Sequence, residues 1–147
     1  MATAETIDLG PEHEPKEESI KAFKEIEHEL KKELVHLRHD HDKHEKEYFE
    51  AVSHLSDHDL AAFSDADFVA VRVAVTAYGL HLLGKLRIPA CPDTGPAYVH
   101  FRIFEPVGGE EPARLHSIHT EEAPDESGGT KYRAIFTRDD PLEWFDT

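Results

Sequence analysis

The sequence predicts an α+β domain: an N-terminal helix or helices packed on a four- to five-stranded antiparallel sheet. Two patterns carry that prediction. Ile20, Phe23, Ile26, Leu30, Leu34 and Leu37 recur at three- and four-residue steps, the spacing that makes one apolar stripe on a helix. Farther along, Val69, Val71, Val73 and Val75 alternate with Ala70, Arg72 and Ala74, and Leu80, Leu82, Leu86 and Ile88 and then Val99, Phe101 and Ile103 repeat the alternation. Period two marks strands with one buried face, and the valine and aromatic content favours strand over helix. A striped helix and a one-sided sheet each need a cover, and each can cover the other.

Taken in order, residues 1–16 hold prolines, a glycine and several acids without periodicity, which predicts a mobile acidic arm. A single α+β domain is expected over 17–147, with a helical part at 17–60, an antiparallel sheet at 68–138 and a packed tail at 139–147. Glu17 and Glu18 suit a helix N-terminus, where the macrodipole favours negative charge. The stripe continues through His41 and His44 to Tyr48, Val52 and Leu55. One unbroken helix to Ser53 would span roughly 55 Å, longer than a small sheet, so two helices bending within Arg38–His44 are expected. Ser56 or Asp57 suits the cap of one further short turn.

The long β segment from Phe68 to Ile88 must reverse, and Thr76-Ala77-Tyr78-Gly79 is the natural place, because Gly79 tolerates positive φ. Prolines and glycine make 89–97 a loop. Tyr98–Glu105 reads as a strand, 106–112 as a turn and Ala113–Thr120 as a weaker strand. Residues 121–130 read as a polar loop and Lys131–Thr137 as the last strand. The alternation places His81, Lys85, Arg87, His100, Arg102 and Arg133 on the sheet exterior, expected to face solvent.

Composition narrows the function. The chain has 147 residues and a formal net charge of −15, enough for one core. That charge argues against nucleic acid, whose binding relies on Lys and Arg displacing phosphate counterions, and against an anionic membrane surface. Cys91 is the single cysteine, so no intrachain disulfide forms, and a reducing, cytoplasmic setting is expected. The N-terminal residues lack the basic start and apolar centre of a signal peptide.

With 12 histidines, a metal site has to be weighed. His36, His39, His41, His44, His54 and His58 fall in the helical part. His54 and His58 are four apart, a spacing that places two ligands on one helix face, and Glu33 with His36 makes a carboxylate–histidine step. Too few helices are expected to surround an ion, so no metal or other cofactor is assigned.

The segment from Phe68 to Phe145 resembles the stefins, the disulfide-free cystatins that inhibit papain-like cysteine proteases. Tyr98-Val99-His100-Phe101-Arg102-Ile103-Phe104 is similar to the stefin strand Y/F-V/M-H-L-R/K-V-F, and Asp139-Asp140-Pro141-Leu142-Glu143-Trp144-Phe145 to the stefin ending. Lys85 and Arg87 match a stefin I-K-V-R strand. Counting back from them puts Val75-Thr76-Ala77-Tyr78-Gly79 on the family's QxVxG hairpin, of which Gly79 alone is kept. Val107-Gly108-Gly109 stands where stefins carry Leu-Pro, and Gly10, followed by Pro11, stands for the N-terminal glycine. Two insertions and a longer helical region enlarge the chain.

The resemblance implies a cystatin-like fold and a wedge of arm and two hairpin loops that enters a protease cleft. Its protease-binding residues would be Gly10, Thr76, Ala77, Tyr78, Gly79, Val107 and Gly108, and Gly79→Glu is expected to abolish binding while sparing the fold. Two rival readings come from other classes. One is a small-molecule enzyme or binding protein, of isomerase, lyase or cyclase type, with an apolar pocket between helix and curved sheet. His81, His100, His116 and His119 are its candidate bases, although His81 and His100 fall on the face opposite the apolar rows. The other is a homodimer joined through the long helix as a coiled-coil seam.

Overall fold

The computed structural model describes residues 9–92, 94–108, 110–124 and 127–145. Helix α1 spans Glu17–His44, a 3-10 segment spans Lys46–Val52, and a short helix α2 spans Asp57–Leu60. Strands β1 (Phe68–Thr76), β2 (Gly79–Arg87), β3 (Tyr98–Pro106) and β4 (Arg114–Ile118) follow, then β5 (Glu121–Pro124) and β6 (Thr130–Arg133). The first four strands form one antiparallel sheet in the order β1-β2-β3-β4, and β5 pairs with β6 in a separate ribbon. The expected α+β architecture is the one observed.

The predicted ridge is the core. Phe23, Ile26, Leu30 and Leu34 of α1 are fully buried. They lie against the sheet face that carries Phe68, Val71, Leu82, Leu86, Val99, Phe101 and Ile103. Phe23 packs on Phe68 at 5.1 Å between ring centres, on Phe101 at 5.8 Å and on Phe63 at 6.4 Å. Gly84 lies opposite Phe101 in the register, and a methyl group there would sit 2.3 Å from the Phe101 ring. The glycine therefore makes room for the largest residue of that row. This filling occupies the space where the enzyme reading wants a pocket, and it covers the ridge that a coiled-coil seam would need.

The helix does not bend within Arg38–His44 as expected. It runs 28 residues, about 42 Å at 1.5 Å per residue, and breaks at Glu45, whose φ of −144° leaves helical space. The overhang is covered by the 3-10 segment folding back, with Tyr48, Phe49 and Val52 buried. Arg38 secures the reversal. It is buried, donates to the carbonyls of Val52 (3.2 Å) and Leu55 (2.7 Å), and pairs with Asp57. His41 packs on Tyr48 with ring centres 4.3 Å apart and tilted by 47°, while His44 is exposed. The further short turn is α2, capped by Ser56, whose hydroxyl accepts from the Asp59 N–H.

Three more expectations change. The polar stretch 121–130 is not all loop, because Glu121–Pro124 is strand β5. The last strand is Thr130–Arg133 rather than Lys131–Thr137, and it pairs with β5 outside the main sheet. Phe136 alone bridges to Tyr98 of β3.

The arm is paired from Leu9 on. The Gly10 N–H donates to the Val73 carbonyl at 2.9 Å, and His13 and Val71 exchange bonds at 3.0 and 2.8 Å. Residues 1–8 of the expected mobile arm lie outside the described residues. The tail packs back, with Leu142 and Phe145 buried. Among the described residues, no helix is long and apolar enough to cross a membrane.

Candidate functional site

Strand register decides what meets at the end of the sheet. Thr76 pairs with Gly79, so Ala77 and Tyr78 form a two-residue turn. The Thr76 hydroxyl donates to the Gly79 carbonyl at 3.1 Å and accepts the Tyr78 N–H at 3.3 Å. Gly79 in turn lies opposite Pro106 of β3. The loop that leaves β3 through Val107 and Gly108 therefore emerges beside the first turn. The Val107 N–H donates to the Tyr78 carbonyl at 3.0 Å, tying the two tips together. Gly108 has a φ of +98° and open space around it, so it sets the direction of the second loop. Gly109 lies outside the described residues.

The arm points to the same end. Leu9 lies beside Ala74 and His13 beside Val71, antiparallel, so Leu9 is the described arm residue set farthest along β1 toward Thr76. Arg72 anchors this arm, donating to the carbonyls of Gly10 at 2.6 Å and Leu9 at 3.3 Å. Of the seven residues singled out from the sequence, Thr76, Ala77, Tyr78 and Gly79 of the first turn meet Val107 and Gly108 of the second at one end of the sheet, while Gly10 lies on the arm, bonded to Val73 farther back along β1.

This edge is apolar. Tyr78 is 77% exposed, Val75 73% and Val107 72%. Exposed large apolar side chains brought to one end of a sheet make it a candidate contact surface.

One residue of the edge has a different role from the one expected. Gly79 is buried, has a φ of +149°, and a Cβ there would lie 2.0 Å from the Glu105 carbonyl oxygen. Gly79→Glu would not spare the fold, because any side chain drives β2 from β3. The site is therefore tested through Tyr78 and Val107 instead.

A second cluster departs from the expected solvent-facing placement. His81, Lys85, His100 and Arg102 are buried. The helix covers the other face of the sheet, and the arm and tail cover this one. In the register, Lys85 lies beside His100, and Arg102 beside Leu83. Arg102 donates from Nε to His81 Nδ1 at 3.1 Å and from Nη1 to the Phe145 carbonyl at 3.0 Å, with its guanidinium 3.9 Å over the Trp144 ring. Lys85 donates to the Arg138 carbonyl at 3.1 Å and lies 3.9 Å from Glu12. Burial, reinforced by Arg102 and His116, holds His81 down at about 4, and burial with Lys85 and His119 holds His100 at about 3. Both rings are neutral near pH 7. His119 is lowered as well, chiefly by burial.

The sequence carried a signal for this cover in Leu142, Trp144 and Phe145, three large apolar residues that need a surface. Nothing in the local pattern showed that the surface would be the cationic face.

The remaining histidine motifs do not assemble. His54 lies in the turn after the 3-10 segment and His58 in α2, so their four-residue spacing does not put them on one helix. His39 instead pairs with Asp57 at 2.7 Å. Hydrogen bonds from His39 first and Arg38 second hold the Asp57 carboxyl below its ordinary range. Among the described residues, no three His, Cys, Asp or Glu side chains converge as a metal would need. Cys91 is buried, which pushes its thiol up rather than toward the thiolate.

No family model, curated protein or solved structure matches the chain.

Proposed function

We propose that this protein is a reversible inhibitor of papain-like cysteine proteases that works as a wedge, with the arm at Gly10, the Thr76–Gly79 turn and the Val107–Gly108 loop entering the active-site cleft. The observation that carries this reading is the set of exposed apolar tips, Val75, Tyr78 and Val107, grouped on one edge with the two loops bonded to each other. Loops already ordered lose little entropy on docking, so more of the contact energy appears as affinity. Burying Tyr78 in the cleft supplies the kind of aromatic anchor that dominates interface energies. A wedge blocks substrate by occupying the cleft and presents no peptide bond to the catalytic cysteine. The single, buried cysteine accords with action in a reducing, cytoplasmic setting.

The test is hydrolysis of a fluorogenic peptide by papain in the presence of the protein and of Tyr78→Glu and Val107→Glu. Both positions are exposed, so both variants should keep the parent stability. A charge at either tip should raise the inhibition constant at least about 30-fold, the equivalent of losing about 2 kcal/mol from a hot spot. Full papain activity at a large excess of the parent protein would reject the reading, as would equal inhibition by parent and variants.

A further inference from the structure

The tail that covers the cationic face is held against groups that must stay neutral. His81 Nδ1 accepts the Arg102 Nε–H at 3.1 Å, and a protonated ring has no lone pair left to accept it. His100 stacks on Phe136 at 4.2 Å and 5°, and its Nε2 is buried without a partner. His119 stacks on Phe145 of the tail at 4.4 Å and 4°, and its Nδ1 is likewise buried and unpartnered. Trp144 meets His81 edge-on at 5.3 Å. A proton added to any of the three rings would place a charge in a poorly hydrated stack.

The charges facing these rings mostly oppose that proton. His81 faces Arg102 of β3 and His116 of β4. His100 faces Lys85 of β2, His119 and Arg133, with Asp140 as the countering acid. His119 faces Arg133, countered by Glu121. The acids are already engaged: Arg133 pairs with Asp140 and Glu121, each at 3.0 Å, and Glu12 of the arm lies by Lys85.

We propose that the tail, residues 138–145, is an acid-released cover, detached from the sheet when His81, His100 and His119 take up protons, while α1 and the four-stranded sheet remain folded. The inference stands apart from the protease reading and needs no partner. The released rings regain water and their ordinary proton affinity, so falling pH favours the open form. Above about pH 7.5, a unit over the ordinary value of a released ring, the three are almost wholly neutral in either form, and the cover stays docked. Below that, His81, held down to about 4 when docked, by itself weakens docking roughly 30-fold at about pH 5, and His100 acts in the same direction.

Trp144 is the single tryptophan of the chain and lies in the tail, so its fluorescence reports the cover alone. The experiment follows Trp144 emission and far-ultraviolet circular dichroism of the full chain from about pH 7.5 to 4.5. Emission should shift to the red with a midpoint between about pH 4 and 6, while the dichroism stays native. In His100→Phe/His119→Phe the midpoint should move to lower pH. Proton NMR of the imidazole resonances in the unmodified protein gives the same answer without substitution, since these rings should titrate together with the emission change. Constant emission over the range overturns the proposal. So does a simultaneous change of emission and dichroism, which is acid unfolding of the whole domain, and so do rings that titrate independently of emission.

Discussion

Arg72→Ala removes a side chain that fastens both chain ends to the sheet. Arg72 donates to Gly10 at 2.6 Å and Leu9 at 3.3 Å on the arm, and to the Leu142 carbonyl at 2.7 Å on the tail. A hydrogen bond from a charged donor contributes roughly 1.5–3 kcal/mol when buried. Arg72 is half-buried, so the short bond to Gly10 and the longer one to Leu9, both taken near the low end, give a loss of about 2–3 kcal/mol in arm docking. That corresponds to local opening about 30- to 150-fold more frequent. The assay is amide hydrogen exchange resolved by residue. The Gly10 and His13 amides, bonded to the Val73 and Val71 carbonyls, should exchange faster by that factor, while Leu82 and Leu83 in the central strand keep the parent rate. Unchanged exchange at Gly10 and His13 would refute the anchoring role. Equal acceleration at all four amides would show that Arg72 supports the whole fold rather than the arm.

Further outcomes follow from the same contacts. Gly79→Ala should lower stability to urea by at least about 2 kcal/mol, since its Cβ meets the Glu105 carbonyl at 2.0 Å, whereas Tyr78→Ala at the exposed tip should change it by under about 0.5 kcal/mol. Gly84→Ala should cost about 1–3 kcal/mol by overpacking Phe101, and Phe101→Leu in the same chain should recover part of that loss, a coupling measurable by a double-mutant cycle. Arg38→Met keeps the buried stem but takes the guanidinium from the Leu55 and Val52 carbonyls and leaves Asp57 with His39 alone. A loss of about 3 kcal/mol is expected in urea denaturation, and a loss under about 0.5 kcal/mol would mean that water replaces the guanidinium.

The legible parts of the fold were those where local pattern and tertiary environment agree. The ridge from Phe23 to Leu34, the alternation of β1 to β3 and the Thr76–Gly79 reversal belong here, because each buried row is written in side chains a few positions apart. The helix end was hidden because Arg38–His44 contains neither Gly nor Pro. The break comes one residue later, where Tyr48 and Phe49 must turn back to cover α1. Strands β5 and β6 lack apolar alternation, so Glu121–Pro124 read as loop. The cationic face was misread for a different reason: polarity at His81, Lys85, His100 and Arg102 normally means water, and the segments that replace water come from the two distant ends of the chain. The candidate edge was legible through the turn residues, but the role of Gly79 was not. What excludes a side chain there is the Glu105 backbone, 26 residues away in sequence.

The central claim is that the apolar edge, and no other surface, meets a protease cleft. Amide exchange of this protein mixed with papain measures that directly. Exchange should slow at Ala77, Tyr78, Gly79, Val107 and Gly108 and along the arm near Gly10, with α1 and β4 unaffected. Slowed exchange confined to α1 and β4, or no change anywhere at micromolar papain, would contradict it.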